Sequence, residues 1–188
     1  MKTRMSRQRL LIAMMALPML AHAAEDALLL ETRAVATAMP PKLMAELQKE
    51  MAAGGLVSAI AACRDTAPQM AKEISAKTGW QIRRVSLKNR NPKAVPDAWE
   101  KAVLTEFDQR VAAGADAATL EKAEIIDDTY RYMKALPTQP MCLSCHGNAG
   151  EIPADVKTKL RELYPDDRAT GYTVGAVRGA ISIKRSSM

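Results

Sequence analysis

Two cysteines separated by two residues and followed at once by a histidine stand late in the chain, as Cys142-Leu143-Ser144-Cys145-His146, with Gly147 next. Two thiols at this spacing can add across the vinyl groups of a porphyrin. The adjacent imidazole is then aimed at the iron as its proximal axial ligand. The pattern predicts one haem c, attached covalently through Cys142 and Cys145, with His146 on the metal. Two other chemistries use paired cysteines. A redox dithiol wants a βαβ setting near a helix N-terminus, whereas this pair sits between prolines. A zinc ion would need Cys63, Cys142, Cys145 and His146 as a Cys₃His set. The side chains of adjacent residues such as Cys145 and His146 diverge, and the second closely spaced ligand pair of the usual zinc pattern is missing.

The first 23 residues supply the compartment that haem attachment requires. Lys2, Arg4, Arg7 and Arg9 make a basic n-region, residues 10–20 an apolar h-region, and Ala21-His22-Ala23 an A-x-A cleavage site. Residues 1–23 therefore read as a signal peptide cut between Ala23 and Ala24, with an uncleaved anchor as the alternative. The apolar run is short for a transmembrane span, and no second one follows. The mature chain, residues 24–188, is expected as a single periplasmic domain without a membrane span. Cleavage removes four basic residues and no acid, so the formal charge of +6 falls by four. The basic balance belongs mostly to the export signal and gives no ground for nucleic-acid binding. One of the two histidines, His22, leaves with the signal, so His146 is the only histidine of the mature chain.

The ligand on the other face of the iron must then be something else. Cys63, a methionine (Met70, Met133, Met141 or another), water, or no ligand at all are the candidates. Cys63 lies in an apolar run, where a buried inert thiol is the plain reading. Against that, an odd thiol in an oxidising compartment is exposed to oxidation unless protected. Coordination would protect it, and a thiolate ligand favours Fe(III) and lowers the reduction potential. Met70 is the alternative. Met141 is too close to the motif to reach across.

The elements that must position these residues follow from the pattern. Residues 25–38 and 42–53 read as helices separated by Pro40-Pro41, the second stopped by Gly54-Gly55. Residues 56–63 read as a buried helical segment that ends or kinks before Pro68, and residues 69–77 continue as helix to Gly79. Residues 80–87 have strand character, and residues 89–92 are turn chemistry. Asp97 with Glu100 resembles a capping box. Trp99, Val103, Phe107 and Val111 then recur on one helical face. Residues 124–136 favour a strand through Tyr130 and Tyr132. Val156, Leu160 and Leu163 mark a helix that Pro165 ends. Residues 172–184 read as strand, with Gly175 and Gly179 as bulge or close-approach points. The sum is α+β: N-terminal helices, then a small antiparallel sheet, with the motif inserted before its last strand. Small electron-transfer cytochromes carry the motif near the N-terminus and four-helix cytochromes near the C-terminus. Neither arrangement fits.

Several blocks match a known family. They are Ala59-Ile60-Ala61-Ala62-Cys63 with Ala67-Pro68, residues 84–92, Pro96-Asp97-Ala98-Trp99-Glu100, the haem motif, residues 164–172 and residues 175–182. Through them the chain resembles the c-type haem family of exported proteins with a PAS-like fold and Cys/His ligation, which occur alone in the periplasm and as sensor domains. The resemblance implies a PAS-like sheet, Cys63 as distal thiolate and His146 as proximal ligand. Ala94 and Ala176 depart from the pattern, where a polar residue and an acid are expected. Arg84, Arg90 and Arg178, near these blocks, are candidates to pair with the haem propionates.

The expected function is a periplasmic mono-haem c-type cytochrome acting as a redox or small-gas sensor. With no output domain in the chain, a signalling or redox partner in the periplasm would read its state. Electron transfer in a periplasmic chain is the alternative. A haem enzyme is not expected, since it needs an open distal position with an acid–base residue beside it.

Overall fold

The computed structural model describes the backbone of residues 6–186 and the side chains of residues 25–186 except Ala61. Lys2 and Arg4 lie outside the described backbone, and the h-region and cleavage site lie outside the described side chains. The chain forms two compact units, Met1–Ala34 and Val35–Met188. Residues 6–34 of the first are helical, with the Thr32 hydroxyl turned back on the Leu28 carbonyl at 2.9 Å. The second holds every candidate site residue. Among the described residues no helix is long and apolar enough to cross a membrane.

Helix α1 is assigned over Ser6–Ala61 and breaks at Gly54-Gly55, where Gly55 has φ 74°. The two glycines therefore act as the expected stop. Pro40-Pro41 does not interrupt the helix. A proline's fixed φ is helical. Its cost is a lost N–H and a crowded carbonyl one turn back. The buried Ala36 and Met39 just before the pair hold this stretch by packing, which outweighs propensity. After the break the helix resumes, widens to a π-turn over Ala62–Thr66 that contains Cys63, and continues as α2, Ala67–Thr78. Pro68 falls in the first turn of α2, where its missing N–H costs nothing. Gly79 closes α2 with φ 71°.

Strand β1 spans Gln81–Val85 and helix α3 Ala98–Ala112. Strands β2 (Glu121–Ile126) and β3 (Thr129–Pro137) form a hairpin. The run at 124–136 is thus two strands. Asp127 and Asp128 between them have φ 46° and 55°, the double positive φ of a type I′ turn, which aspartate tolerates. Helices α4 (Leu143–His146) and α5 (Ala154–Leu163) follow, then β4 (Val177–Ser186). The sheet is antiparallel in the order β1-β4-β3-β2, so the last strand lies inside. It begins at 177 and not 172, because residues 172–176 turn about Gly175 (φ 84°) on their way from the site.

Helix α3 covers one face of the sheet. Val103, Leu104 and Phe107 pack with Val85, Met133, Ala135 and Ala180, and Trp99 and Val111 lie at the margin. Each large side chain buried this way contributes about 1.5–3 kcal/mol. Polar groups then fix the helix in register. Asp97 and Glu100 form the capping box, worth about 1 kcal/mol. Glu100, fully buried, also accepts from Ser182 of β4 at 2.7 Å and Arg83 of β1 at 3.2 Å. Asp97 accepts from Arg131 of β3 at 2.6 Å and Lys184 of β4 at 2.7 Å.

Two expectations follow. Gly179 has φ 147°, and a Cβ there would lie 2.3 Å from the Val85 carbonyl oxygen. Gly179→Ala should lower the unfolding free energy by about 2–4 kcal/mol, seen as an earlier urea midpoint with unchanged slope. A parent-like midpoint would refute the close approach. Burial tends to raise the Asp97 carboxyl, but the Glu100 N–H, Lys184 and Arg131 outweigh it and hold the group well below its ordinary range. A depressed carboxyl contributes stability that is full above the unfolded value of about 3.9 and is lost as pH falls below it. Unfolding measured between pH 5 and 2 should show this loss, and Asp97→Asn should flatten it.

Candidate functional site

The Cys-x-x-Cys-His segment leaves the sheet at Pro137, passes a 3₁₀ turn at Pro140–Cys142, and becomes the single turn of α4. Gly147 ends the turn. A Cβ there would stand 2.7 Å from the Leu143 carbonyl oxygen, so the residue after His146 has no room for a side chain. The returning loop fastens onto this turn. The Gly171 N–H donates to the Gly147 carbonyl at 2.8 Å and the Tyr172 N–H to the His146 carbonyl at 3.0 Å. His146 Nδ1 lies 2.7 Å from the Ala169 carbonyl oxygen. A carbonyl can only accept, so Nδ1 carries the proton and Nε2 presents a lone pair. The Tyr172 ring meets the imidazole edge-on, at 6.3 Å and 89°.

Burial holds the imidazole well below its ordinary pKa, and Arg178 and Arg90 add to the effect. The ring is therefore neutral at physiological pH, the form that binds metals. Arg90 reaches this residue directly. Its Nη2 donates to the Cys145 carbonyl at 2.6 Å, and its Nη1 lies 3.5 Å from His146 Nε2. Asp167 pairs with Arg90 Nε at 2.9 Å.

Cys63 stands 79 positions before Cys142, and an apolar cluster closes the gap. Leu56, Val57 and Ile60, on the turns before Cys63, pack with Ile152 and with Val156, Leu160, Leu163 and Tyr164 at and after α5, and Cys145 lies against the same cluster. Burial pushes the Cys63 thiol up, while the charges of Arg84, Arg90 and Arg178 pull it down and Cys142 pushes it further up. Burial likewise raises Cys145, which also feels Arg90, Cys63 and Cys142. The three cysteines, His146 and the three arginines thus share one electrostatic neighbourhood. Met70 lies further along α2 and Met141 in the 3₁₀ turn. Among the described residues no group of three or more His, Cys, Asp or Glu is gathered to hold a metal ion, so the Cys₃His set does not surround a common point.

The arginines differ from one another. Arg90 has its carboxylate. Arg178 is 7% exposed and has no acidic partner among the described residues. Its Nη1 donates to the Ser86 hydroxyl at 3.1 Å, its guanidinium lies 5.1 Å from the Tyr172 ring centroid, and its Nε is buried with no acceptor. Burial, then repulsion from Arg84, brings its pKa down to about 10. Arg84 makes no ion pair among the described residues. Two guanidinium groups close enough to act on His146 and Cys63 thus have no ion-pair contact among the described residues, and an anionic group fits the place.

Asp167 is the site residue that sequence reasoning missed. Its neighbours Pro165, Asp166 and Gly171 mark a turn and hide it. Only the inward direction of its side chain separates it from the exposed Asp166 and Arg168.

Fold and site together define a small α+β protein built around a Cys-x-x-Cys-His turn with an upstream cysteine brought close by. The chain belongs to the Tll0287-like family, whose model matches residues 14–186. Among solved structures it is similar to the cyanobacterial heme-protein Tll0287, with 32% sequence identity and a TM-score of 0.55 over 65% of this chain and 71% of that one. No curated protein matches the chain.

Removing the buried unpaired charge tests the electrostatics. In the haem-free protein Arg178→Met should leave stability unchanged or raise it by about 1–2 kcal/mol, because a desolvated cation is replaced by apolar volume. A loss of more than about 2 kcal/mol in urea unfolding would show that the guanidinium is already compensated.

Proposed function

We propose that the chain carries one haem c, attached through Cys142 and Cys145, with His146 Nε2 as proximal ligand and Cys63 as distal thiolate, in a PAS-like arrangement. The observation that carries this reading is the orientation of His146. Its Nδ1–H is committed to the Ala169 carbonyl, which leaves Nε2, 3.5 Å from Arg90 Nη1, as the nitrogen that keeps a lone pair for a metal. The uncompensated charges of Arg178 and Arg84 support it, since haem brings two propionates. Family membership supports it as well, because the similar solved structure is that of a heme-protein.

When bound, haem supplies a one-electron couple and a place on iron for a small gas. The chain's own contributions are electrostatic and positional. Arg178 and Arg84 receive the propionates. Arg90, already neutralised by Asp167, braces the Cys145 carbonyl. The apolar cluster of Ile60, Val156 and Leu160 holds the Cys63 segment against the motif. The role that suits this site is a periplasmic redox or small-gas sensor whose state is read by a partner protein. Electron transfer is the second reading. An enzymatic role is disfavoured, because the mature sequence has no second histidine to serve as acid–base group.

The test is export of the protein together with the c-type maturation machinery. Haem should remain with the polypeptide after denaturation, and the ferric protein should give a low-spin thiolate EPR spectrum that Cys63→Ser abolishes. An unchanged spectrum in Cys63→Ser removes the distal assignment. Absence of covalent haem removes the whole reading. Rapid CO binding by the ferrous form would favour sensing over electron transfer.

A further inference from the structure

The pair Asp166-Asp167 reads as a solvated turn, yet only its second member faces inward. We propose that Asp167 is a positioning residue for the axial histidine: one carboxylate that sets the orientation and donor strength of His146 by fixing the Ala169 backbone and through Arg90. The proposal rests on the haem reading above and adds to it a residue outside the ligand set.

Both oxygens of Asp167 are used. Oδ1 accepts the Ala169 N–H at 2.8 Å and Oδ2 accepts Arg90 Nε at 2.9 Å. Ala169 is fully buried, and its carbonyl is the acceptor of His146 Nδ1 at 2.7 Å. The carboxylate therefore grips the amide end of a residue whose carbonyl end grips the imidazole. Its other oxygen holds the guanidinium that donates to the Cys145 carbonyl at 2.6 Å and approaches the Ala169 carbonyl at 3.4 Å. Arg90 thus ties the same two neighbours together from the far side. The carboxylate is itself held. The Asp167 N–H donates to the Tyr164 carbonyl at 3.1 Å, and the Arg168 N–H donates to the Asn89 carbonyl at 3.2 Å, beside Arg90. The pair is almost enclosed, with side-chain exposures of 9% for Arg90 and 14% for Asp167.

This arrangement has an electronic consequence. A strong acceptor on Nδ1–H gives the imidazole more anionic character and makes Nε2 a better donor, the usual task of a partner behind a ligating histidine. A better donor favours Fe(III). The negative charge of Asp167 acts in the same sense, by offsetting Arg90. Weakening the carboxylate should therefore raise the reduction potential by both routes.

Two variants separate the routes. Asp167→Asn removes the charge and one acceptor. Asp167→Glu keeps the charge but displaces the grip on the Ala169 N–H, so a shift there reads positioning alone. In the haem-loaded protein, redox titration of Asp167→Asn should show at least a tenfold move of the Fe(III)/Fe(II) equilibrium toward Fe(II), a rise of 59 mV for a one-electron couple. Asp167→Glu should move it the same way by less, with altered g-values in the ferric EPR spectrum. In the haem-free protein, ¹⁵N resonances of His146 should report a proton on Nδ1 in the parent and a mixed tautomer in both variants. Parent-like potentials and parent-like ¹⁵N shifts in the variants overturn the proposal. If Asp167→Asn does not fold, Asp167→Glu decides it. If the parent takes up no haem, the haem reading falls, and the haem-free measurement still decides whether Asp167 sets the tautomer.

Discussion

The hydrogen bond from His146 Nδ1 to the Ala169 carbonyl, 2.7 Å long, decides which nitrogen of His146 carries the proton and which keeps its lone pair. An imidazole has two nitrogens of nearly equal basicity, and a ligand needs one of them free. Holding the imidazole in one orientation costs side-chain entropy. The backbone bonds of Gly171 and Tyr172 to the turn bring the acceptor into place for reasons independent of the ring. The loop after α5 is thus a clasp on the turn, with three of its polar contacts made to residues 146 and 147.

The clasp could not form without the two scaffolds on either side of it. The sheet, braced by the Asp97 and Glu100 network, fixes where β3 releases the chain toward the motif and where β4 takes it back. The cluster of Ile60, Val156, Leu160 and Tyr164 does the other half of the work, bringing the Cys63 turn to the motif. The first scaffold adds a buried polar network to its apolar core, and the second rests on apolar packing. The π-turn at Cys63 belongs with the second. Such turns add a residue to a helix, commonly at functional sites, and this one carries the upstream cysteine.

Local signals were legible in the sequence and long-range ones were not. The capping box at Asp97 and Glu100, the Trp99–Phe107 face and the close approach at Gly179 all rest on a few neighbouring residues, and each stands in the structure as read. The turn at Asp127-Asp128 escaped because aspartate at positive φ is less common than glycine there, so two strands looked like one. Pro40-Pro41 misled because propensity yields to packing. Asp167 could not be found by pattern at all. Its meaning lies in contacts to Arg90, 77 positions away, and a turn-forming sequence conceals it.

The electrostatics around Cys63 set two effects against each other, and their outcome bears on how such a site is assembled. Three guanidinium groups favour the thiolate, yet burial is the larger influence and the thiol is pushed up, so the free protein holds Cys63 protonated at neutral pH. On the proposed reading, ligation must then displace that proton, and uptake of the metal group is coupled to its release. The same guanidinium charges carry a penalty of their own. Arg178 is buried, lacks a carboxylate, and has its pKa brought down to about 10. On the same reading propionates would offset the charges of Arg178 and Arg84, and Cys63 would hold the iron as its thiolate. The fold thus holds a buried cation without a carboxylate next to a neutral thiol and a neutral imidazole, a charge balance that favours an anionic occupant.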